Sequence, residues 1–193
     1  MEEGDGVIPF PDKRYSVIYV DPPWRYRDKA AAGERGAAFK YSVMSMEEIK
    51  GMPVQSIAAD DCALFMWATY PMFPEALSVL EAWGFQYRTV AFTWVKTTKH
   101  GKLAMGMGNW TRANAEPCLL AIRGKPKRVS AAVHSVIMSE RREHSRKPDE
   151  VYGRIEQLMG DLPRIELFAR QRVPGWDAWG NEVPPDSGSE CAG

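Results

Sequence analysis

The chain has 193 residues, 45% of them hydrophobic and 26% charged, with 25 basic and 25 acidic side chains. That length holds a full core in one domain without disulfides or structural metals, and the zero formal net charge argues against a uniformly basic polyanion binder. No apolar run approaches the ~20 residues of a membrane span, and Met1-Glu2-Glu3-Gly4-Asp5-Gly6 lacks the regions of a signal peptide. Cys62, Cys118 and Cys191 are scattered and at no metal-ligand spacing, so a reducing cytoplasm and no metal are expected. Charge is uneven along the chain. Residues 88–147 are rich in Lys and Arg, opposed only by Glu116, Glu140 and Glu143, and such a basic stretch suits a polyanion.

Taken in chain order, residues 15–20 (YSVIYV) read as a buried strand that stops at Asp21-Pro22-Pro23, where proline removes ladder donors. Ser45-Met46-Glu47-Glu48 is a capping box, with Met44 and Ile49 as its hydrophobic staple, and predicts a short helix. Residues 62–68 (CALFMWA) predict a second strand. The helix after it should begin near Pro74, present Leu77, Leu80 and Trp83, and stop at Gly84. Residues 85–96 and 118–122 (CLLAI) predict further strands. Pro148 opens the clearest helix, which carries Val151, Ile155, Leu158 and Met159 on one face and ends before Gly160. Residues 164–169 (RIELFA) predict a late strand. The acidic tail 184–193, rich in Pro, Ser and Gly, is expected to be disordered, which leaves residues 1–183 as a single domain. Alternating strands and helices imply a three-layer α/β domain with a mostly parallel sheet. In such sheets ligands sit at the C-terminal ends of the strands, which is where the motif after Val20 falls.

Asp21-Pro22-Pro23-Trp24 carries a definite chemical capability. An exocyclic amine on a purine is planar and a poor nucleophile because its lone pair is delocalised into the ring. A carboxylate and a carbonyl accepting from its two N–H groups would draw it toward a tetrahedral form. Asp21 supplies the carboxylate; Pro22 has no N–H but keeps its carbonyl, which the two prolines hold in place. Trp24 offers a flat face for an extruded base. No covalent nucleophile is required, only positioning and preorganised electrostatics. The bland alternative is a rigid strand exit with Trp24 as a core aromatic.

This tetrapeptide after an apolar strand resembles the signature of the adenine-N6 methyltransferase family that includes the eukaryotic mRNA adenosine methyltransferases and many bacterial and phage DNA adenine methyltransferases. The resemblance runs from Tyr15 to Glu182. It is carried further by Tyr41-Ser42-Val43-Met44-Ser45, Leu64-Phe65-Met66-Trp67, Trp94-Val95-Lys96 and Trp110-Thr111-Arg112 through Glu116. Ser145-Arg146-Lys147-Pro148-Asp149-Glu150-Val151-Tyr152 and Arg164-Ile165-Glu166-Leu167-Phe168-Ala169-Arg170, with Gly175-Trp176 and Gly180-Asn181-Glu182, complete it. The resemblance implies a Rossmann-like fold, S-adenosyl-L-methionine as cofactor, and a permuted order with the catalytic motif N-terminal and the cofactor motifs C-terminal. It implies that Asp21 and Pro22 hold the amine, with Pro23 and Trp24 completing the catalytic motif. Asp21 would also approach the cofactor, Lys147 hold its carboxylate, Arg170 its ribose, and Asn181 with Glu182 the ribose or adenine. Pro9 and Phe10 are candidates beside the cofactor adenine. Tyr41, Lys99, Lys102, Trp110, Arg112 and Glu116 are candidate substrate contacts, the basic and aromatic ones because they can hold phosphates and stack on bases.

Other signals carry less. Gly106-Met107-Gly108 follows no strand end and reads as a mobile loop rather than a dinucleotide fingerprint. Cys118 lies inside an apolar strand and reads as core, as do Trp67, Trp83 and Trp94; His100, His134 and His144 are too dispersed to bind a metal. Three functions are open: a bacterial or phage DNA adenine-N6 methyltransferase, the same chemistry on RNA, or a non-catalytic nucleic-acid-binding subunit with a vestigial pocket. DNA is the expected substrate, with no membrane partner. Specificity would lie in loops 30–40 and 97–109 or in a partner, and a homodimer is one way to grip a duplex.

Overall fold

Alternation along the first strand decides how the chain is layered. β1 (Tyr15–Val20) turns Ile18 and Val20 to one face and Val17 and Tyr19 to the other, and all four are buried. A strand buried on both faces belongs inside a sheet that is covered twice. The computed structural model describes residues 8–24, 44–106, 108, 110–142 and 146–183. Tyr41, the loop at 30–40, Met107, Asn109, His144, Ser145, Cys191 and the tail 184–193 lie outside the described residues.

The sheet has seven strands. After β1 come β2 (Ala58–Trp67), β3 (Gln86–Thr97), β4 (Ala115–Arg123), β5 (Val136–Glu140), β6 (Arg164–Leu167) and β7 (Asp177–Trp179), in the spatial order β5-β3-β4-β2-β1-β6-β7. β4 runs antiparallel to both β2 and β3, and the other pairings are parallel. The sheet is therefore mostly parallel, as the alternation of apolar strands and helices predicts. In register, Val20 lies opposite Met66 of β2 and Leu167 of β6. The ends of β1, β2 and β6 are thus level, and whatever follows each strand emerges along one edge.

One face is covered by α1 (Met46–Lys50), α2 (Val54–Ile57) and α3 (Phe73–Ala82), and the other by α4 (Glu150–Met159). The capping box of α1 forms as predicted, with Ser45 Oγ accepting from the Glu48 backbone and Glu48 accepting from the Ser45 N–H. α3 buries Ala76, Val79 and Leu80, and Trp83 just beyond it is fully buried and donates its indole N–H to the Ile49 carbonyl. Leu77, expected on that face, stands at its margin. α4 packs Val151, Ile155 and Met159 under the sheet, each worth about 1.5–3 kcal/mol of burial.

Two strands escape the apolar-run reading. β5 is an edge strand whose Val136, Met138 and Glu140 are exposed, so it presents no continuous apolar signal. β7 is only three residues long. The strand expected over 164–169 stops at Leu167, because Phe168 takes a left-handed backbone (φ 58°) that leaves the ladder. Among the described residues no helix is long and apolar enough to cross a membrane.

Candidate active site

Asp21, Glu116, Lys147, Arg170 and Asn181 come to the same edge of the sheet. Asp21 follows β1, Arg170 follows β6 and Asn181 follows β7; Glu116 starts β4, whose reversed direction brings its first residues to the edge where β2 and β3 end. Lys147 precedes α4. Its ammonium lies 3.1 Å from Asp21 Oδ2 and 3.1 Å from Glu116 Oε2, while Glu116 Oε1 accepts from Lys96. The Lys147 ammonium also sits 5.6 Å from the centre of the Trp67 ring, and Lys96 sits 4.9 Å from that of Trp94. The result is a four-charge row, Asp21, Lys147, Glu116, Lys96, whose formal charges sum to zero.

The two carboxylates in that row differ for a reason visible in their neighbours. Burial works against the ionised form of both. Glu116 lies between two ammonium groups, which hold its carboxyl below the ordinary range. Asp21 has one ammonium and faces the Glu116 charge, so burial prevails and its carboxyl is raised. The ammonium of Lys147, despite its own burial, is held protonated by the carboxylates on either side. Burial also raises the Cys118 thiol, which stays unionised in the core.

The turn after Asp21 departs from expectation in two respects. The Pro22 carbonyl accepts from the Trp24 N–H at 2.8 Å, so one of its two lone pairs serves the turn itself. Trp24 is 7% exposed and donates its indole N–H to the Trp67 carbonyl at 3.1 Å. Its ring belongs to the core, so in this conformation it offers no open face to a base. Pro23 accepts from Met44 N–H at 3.4 Å, which ties the turn to the cap of α1.

Beside Asp21 a cavity of about 270 Å³ opens between the ends of β1 and β6 and the start of α4; Asp21, Lys147, Glu166, Phe168, Arg170 and Glu182 are on its wall. Asn181 is exposed and outside that lining. Arg170 Nε stands 3.9 Å from Glu182 Oε2. Glu166 and Tyr152, to which the sequence assigned no role, meet here: the Tyr152 hydroxyl donates to Glu166 Oε2 at 2.8 Å. Burial pushes the Glu166 carboxyl up to about 7, with the Tyr152 hydrogen bond opposing the shift. Tyr152 is also raised by burial, and its ring stands edge-on to Tyr19 and Trp176. The signal for this pair was the 14-residue spacing between a helix and the next strand, which periodicity alone does not convert into a contact. On the cavity's far side Phe168 stands edge-on to Trp179, Phe10 packs on that same indole at 4.6 Å, and Trp179 donates to the Ile8 carbonyl. That brings the segment before β1 to the cavity's margin.

Not every substrate candidate lies at the charge row. Glu116, expected among the substrate contacts, is an ion-pair partner of Lys96 and Lys147. Lys99, Lys102, Trp110 and Arg112 are exposed on the connection from β3 to β4. There Gly101 (φ 73°) turns the chain, with Thr98 donating to Lys102. A Cβ on Gly106 would overlap the Ala113 carbonyl, and one on Gly108 the Thr111 carbonyl, so these glycines permit close backbone approach.

An α/β domain with a mostly parallel sheet, a carboxylate-proline turn after a central strand and a cavity beside it has the architecture of a Rossmann-like methyltransferase. The sequence pattern of the MT-A70 family matches residues 15–182, and the chain belongs to that family. It is 37% identical to the Type II methyltransferase M.MunI of Mycoplasma sp over 199 residues, covering 93% of this chain and 83% of the relative. It is also 31% identical to the N(6)-adenosine-methyltransferase MT-A70-like of Arabidopsis thaliana, and 29% identical to the N(6)-adenosine-methyltransferase catalytic subunit METTL3 of Homo sapiens. Each of these last two matches covers 88% of this chain but only 24% and 28% of the relative, so the chain spans about a quarter of their length.

Proposed function

We propose that the chain transfers the methyl group of S-adenosylmethionine to the N6 amino group of adenine in DNA, in the cytoplasm of a bacterium or of a phage-infected cell. The observation that carries this reading is the Lys147 ammonium shared between Asp21 and Glu116 on the wall of the cavity. It holds a carboxylate of raised pKa in a fixed orientation where a reacting amine would enter. The match to a Type II methyltransferase over most of both chains favours DNA over RNA.

S-adenosylmethionine, when bound, supplies a methyl group on a positively charged sulfonium and leaves as the neutral thioether. The cavity's side chains suit such a group. Lys147 has three N–H donors, two directed at Asp21 and Glu116, and the third would serve a cofactor carboxylate. Glu166 and Glu182 can accept from hydroxyls or an ammonium, and Arg170 can donate to hydroxyls. The aromatic set of Phe168, Trp179 and Phe10 makes an apolar margin for an adenine ring. At the reacting end, Asp21 accepts from one N–H of the target amine and the second lone pair of the Pro22 carbonyl accepts from the other. This localises the nitrogen lone pair for attack on the methyl carbon. When the amine takes up a methyl group, its surplus proton would pass to the Asp21 carboxylate, whose raised pKa eases the transfer, and then to water. The row of balanced charges needs no reorganisation during the step.

The test is incubation of the protein with methyl-labelled S-adenosylmethionine and unmethylated bacterial DNA, with matched RNA alongside, followed by digestion to nucleosides. Labelled N6-methyldeoxyadenosine in preference to the RNA product supports the proposal. Label in RNA alone transfers the activity to RNA, as the N(6)-adenosine relatives' names suggest. Cofactor binding with no label in either points to a missing partner subunit or a second copy, and no cofactor binding at all points to a vestigial pocket.

A further inference from the structure

An adenine stacked in a duplex cannot reach a carboxylate at the edge of a sheet, so an enzyme acting on duplex DNA must draw the base out and compensate the lost stacking. The aromatic of the DPPW turn does not provide for this, since Trp24 is buried and bonded to Trp67. Among the described residues the most exposed aromatic is Trp110, at 100%. We propose that Trp110 is a wedge that enters the duplex and fills the gap left when the target adenine leaves the stack. The inference rests on the DNA reading above.

Three observations support it. The first is position. The connection that carries Trp110 leaves β3 just after Lys96 and returns to β4 at Ala115, next to Glu116, so it springs from the two strands that hold the far end of the charge row. The second is shape. The close approach of Gly106 to Ala113 and of Gly108 to Thr111 brings the outgoing and returning backbones together, leaving Trp110 between the two arms of a narrow turn. Side chains at either glycine would force those arms apart. The third is charge. Lys99, Lys102 and Arg112 are exposed on the same connection, and residues 98–114 contain no Asp or Glu. Cations that hold phosphates, around an apolar ring thrust into solvent, match a nucleic-acid duplex rather than an apolar protein groove.

A wedge and a stacking platform for the extruded base predict different results. A wedge matters only when the base must be removed from a duplex, whereas a platform matters for any adenine. The experiment compares wild type and Trp110→Ala on the same unmethylated bacterial genomic DNA, native or heat-denatured. The expected result is a loss of about 10–100-fold on native DNA, the range of one base–aromatic stack, with activity on denatured DNA within about twofold of wild type. Trp110→Phe should recover part of the native-DNA activity. Because Trp110 is fully exposed, the melting temperature and cofactor affinity should stay at wild-type values, which removes misfolding as an explanation. Equal losses on both DNA forms, no loss on either, or a wild-type enzyme active only on denatured DNA would each overturn the wedge. So would a change from dimer to monomer on substitution with parallel loss on both forms, which would make Trp110 a contact to a second copy. Failure of the DNA reading itself is distinct, since wild type would then methylate neither form.

Discussion

The two banks of the cavity are built differently. On the bank formed by β1, β4 and the approach to α4, Lys147 is shared by two carboxylates at 3.1 Å, and its side chain and that of Glu116 are 13% and 11% exposed. On the bank formed after β6 and β7, Arg170 and Glu182 stand 3.9 Å apart and are 42% and 49% exposed. Close, dry pairs keep their orientation because displacing either partner strands a buried charge, whereas separated surface pairs are screened and worth little to the fold. On the proposed function the first bank would hold a reacting amine in one pose and, through Lys147, one end of the cofactor, and the second would receive the rest of a cofactor that must come and go. The difference divides the expected effects of mutation into turnover and stability on one side and cofactor capture on the other.

The largest expected effect is on the first bank. Asp21→Ala should lower kcat by about 10³-fold, the loss expected when a preorganised polar group is removed from the reacting centre, while cofactor affinity measured by calorimetry stays partly intact. Wild-type-like turnover in that variant would sink the mechanism. Next, Glu116→Gln leaves Lys96 and Lys147 facing a neutral amide in a buried setting and should cost about 3 kcal/mol of stability by denaturant unfolding. A loss no greater than that of Glu182→Gln would erase the proposed contrast between the banks. Arg170→Ala should weaken cofactor binding about tenfold, the worth of one charge-assisted hydrogen bond. Its melting temperature should stay close to wild type, and a large drop would mean that this bank, too, is structural.

The contrast between the banks also explains what could be read from the chain. The meeting of Asp21, Lys147 and Arg170 at one edge was legible because each adjoins a strand end or a helix start, and parallel strands deliver such ends to one edge. Trp24 was legible as an aromatic at the right place but not as a buried one, because its burial depends on Trp67, 43 residues away and on another strand. The ion pairs of Glu116 were hidden for the same reason: its partners Lys96 and Lys147 reach it only through the reversed β4, and a single sequence does not reveal strand direction. β5 was missed because an edge strand with alternate residues in solvent lacks the apolar run that marks an interior one. The glycines at 106 and 108 gave a loop correctly located but not its closely packed arms.

The last expected effect is a pH dependence at the margin between the banks, where Glu166 sits. Its carboxyl is raised from an ordinary 4.5 to about 7, with burial first among the causes. Asp21 and Asp149 add to the rise, while the Tyr152 hydroxyl and Arg170 oppose it. Below about pH 4.5 the group is protonated in both folded and unfolded chains, and the native state keeps its full advantage. Between about 4.5 and 7 the unfolded chain has released its proton while the folded one retains it. Stability therefore falls as pH rises through this window, by at most about 1.4 kcal/mol per pH unit, and levels off above it. Glu166→Gln keeps an acceptor for Tyr152 but cannot ionise. Denaturant unfolding from pH 5 to pH 8 should show the variant gaining on wild type as pH rises toward 7, with the gap constant beyond. Because Asp21 adds to the rise of the Glu166 carboxyl, the difference between the two proteins reports the coupled titration of both groups. A gap that does not change with pH would mean that Glu166 is ionised throughout, held by the open bank's Arg170 more firmly than burial resists.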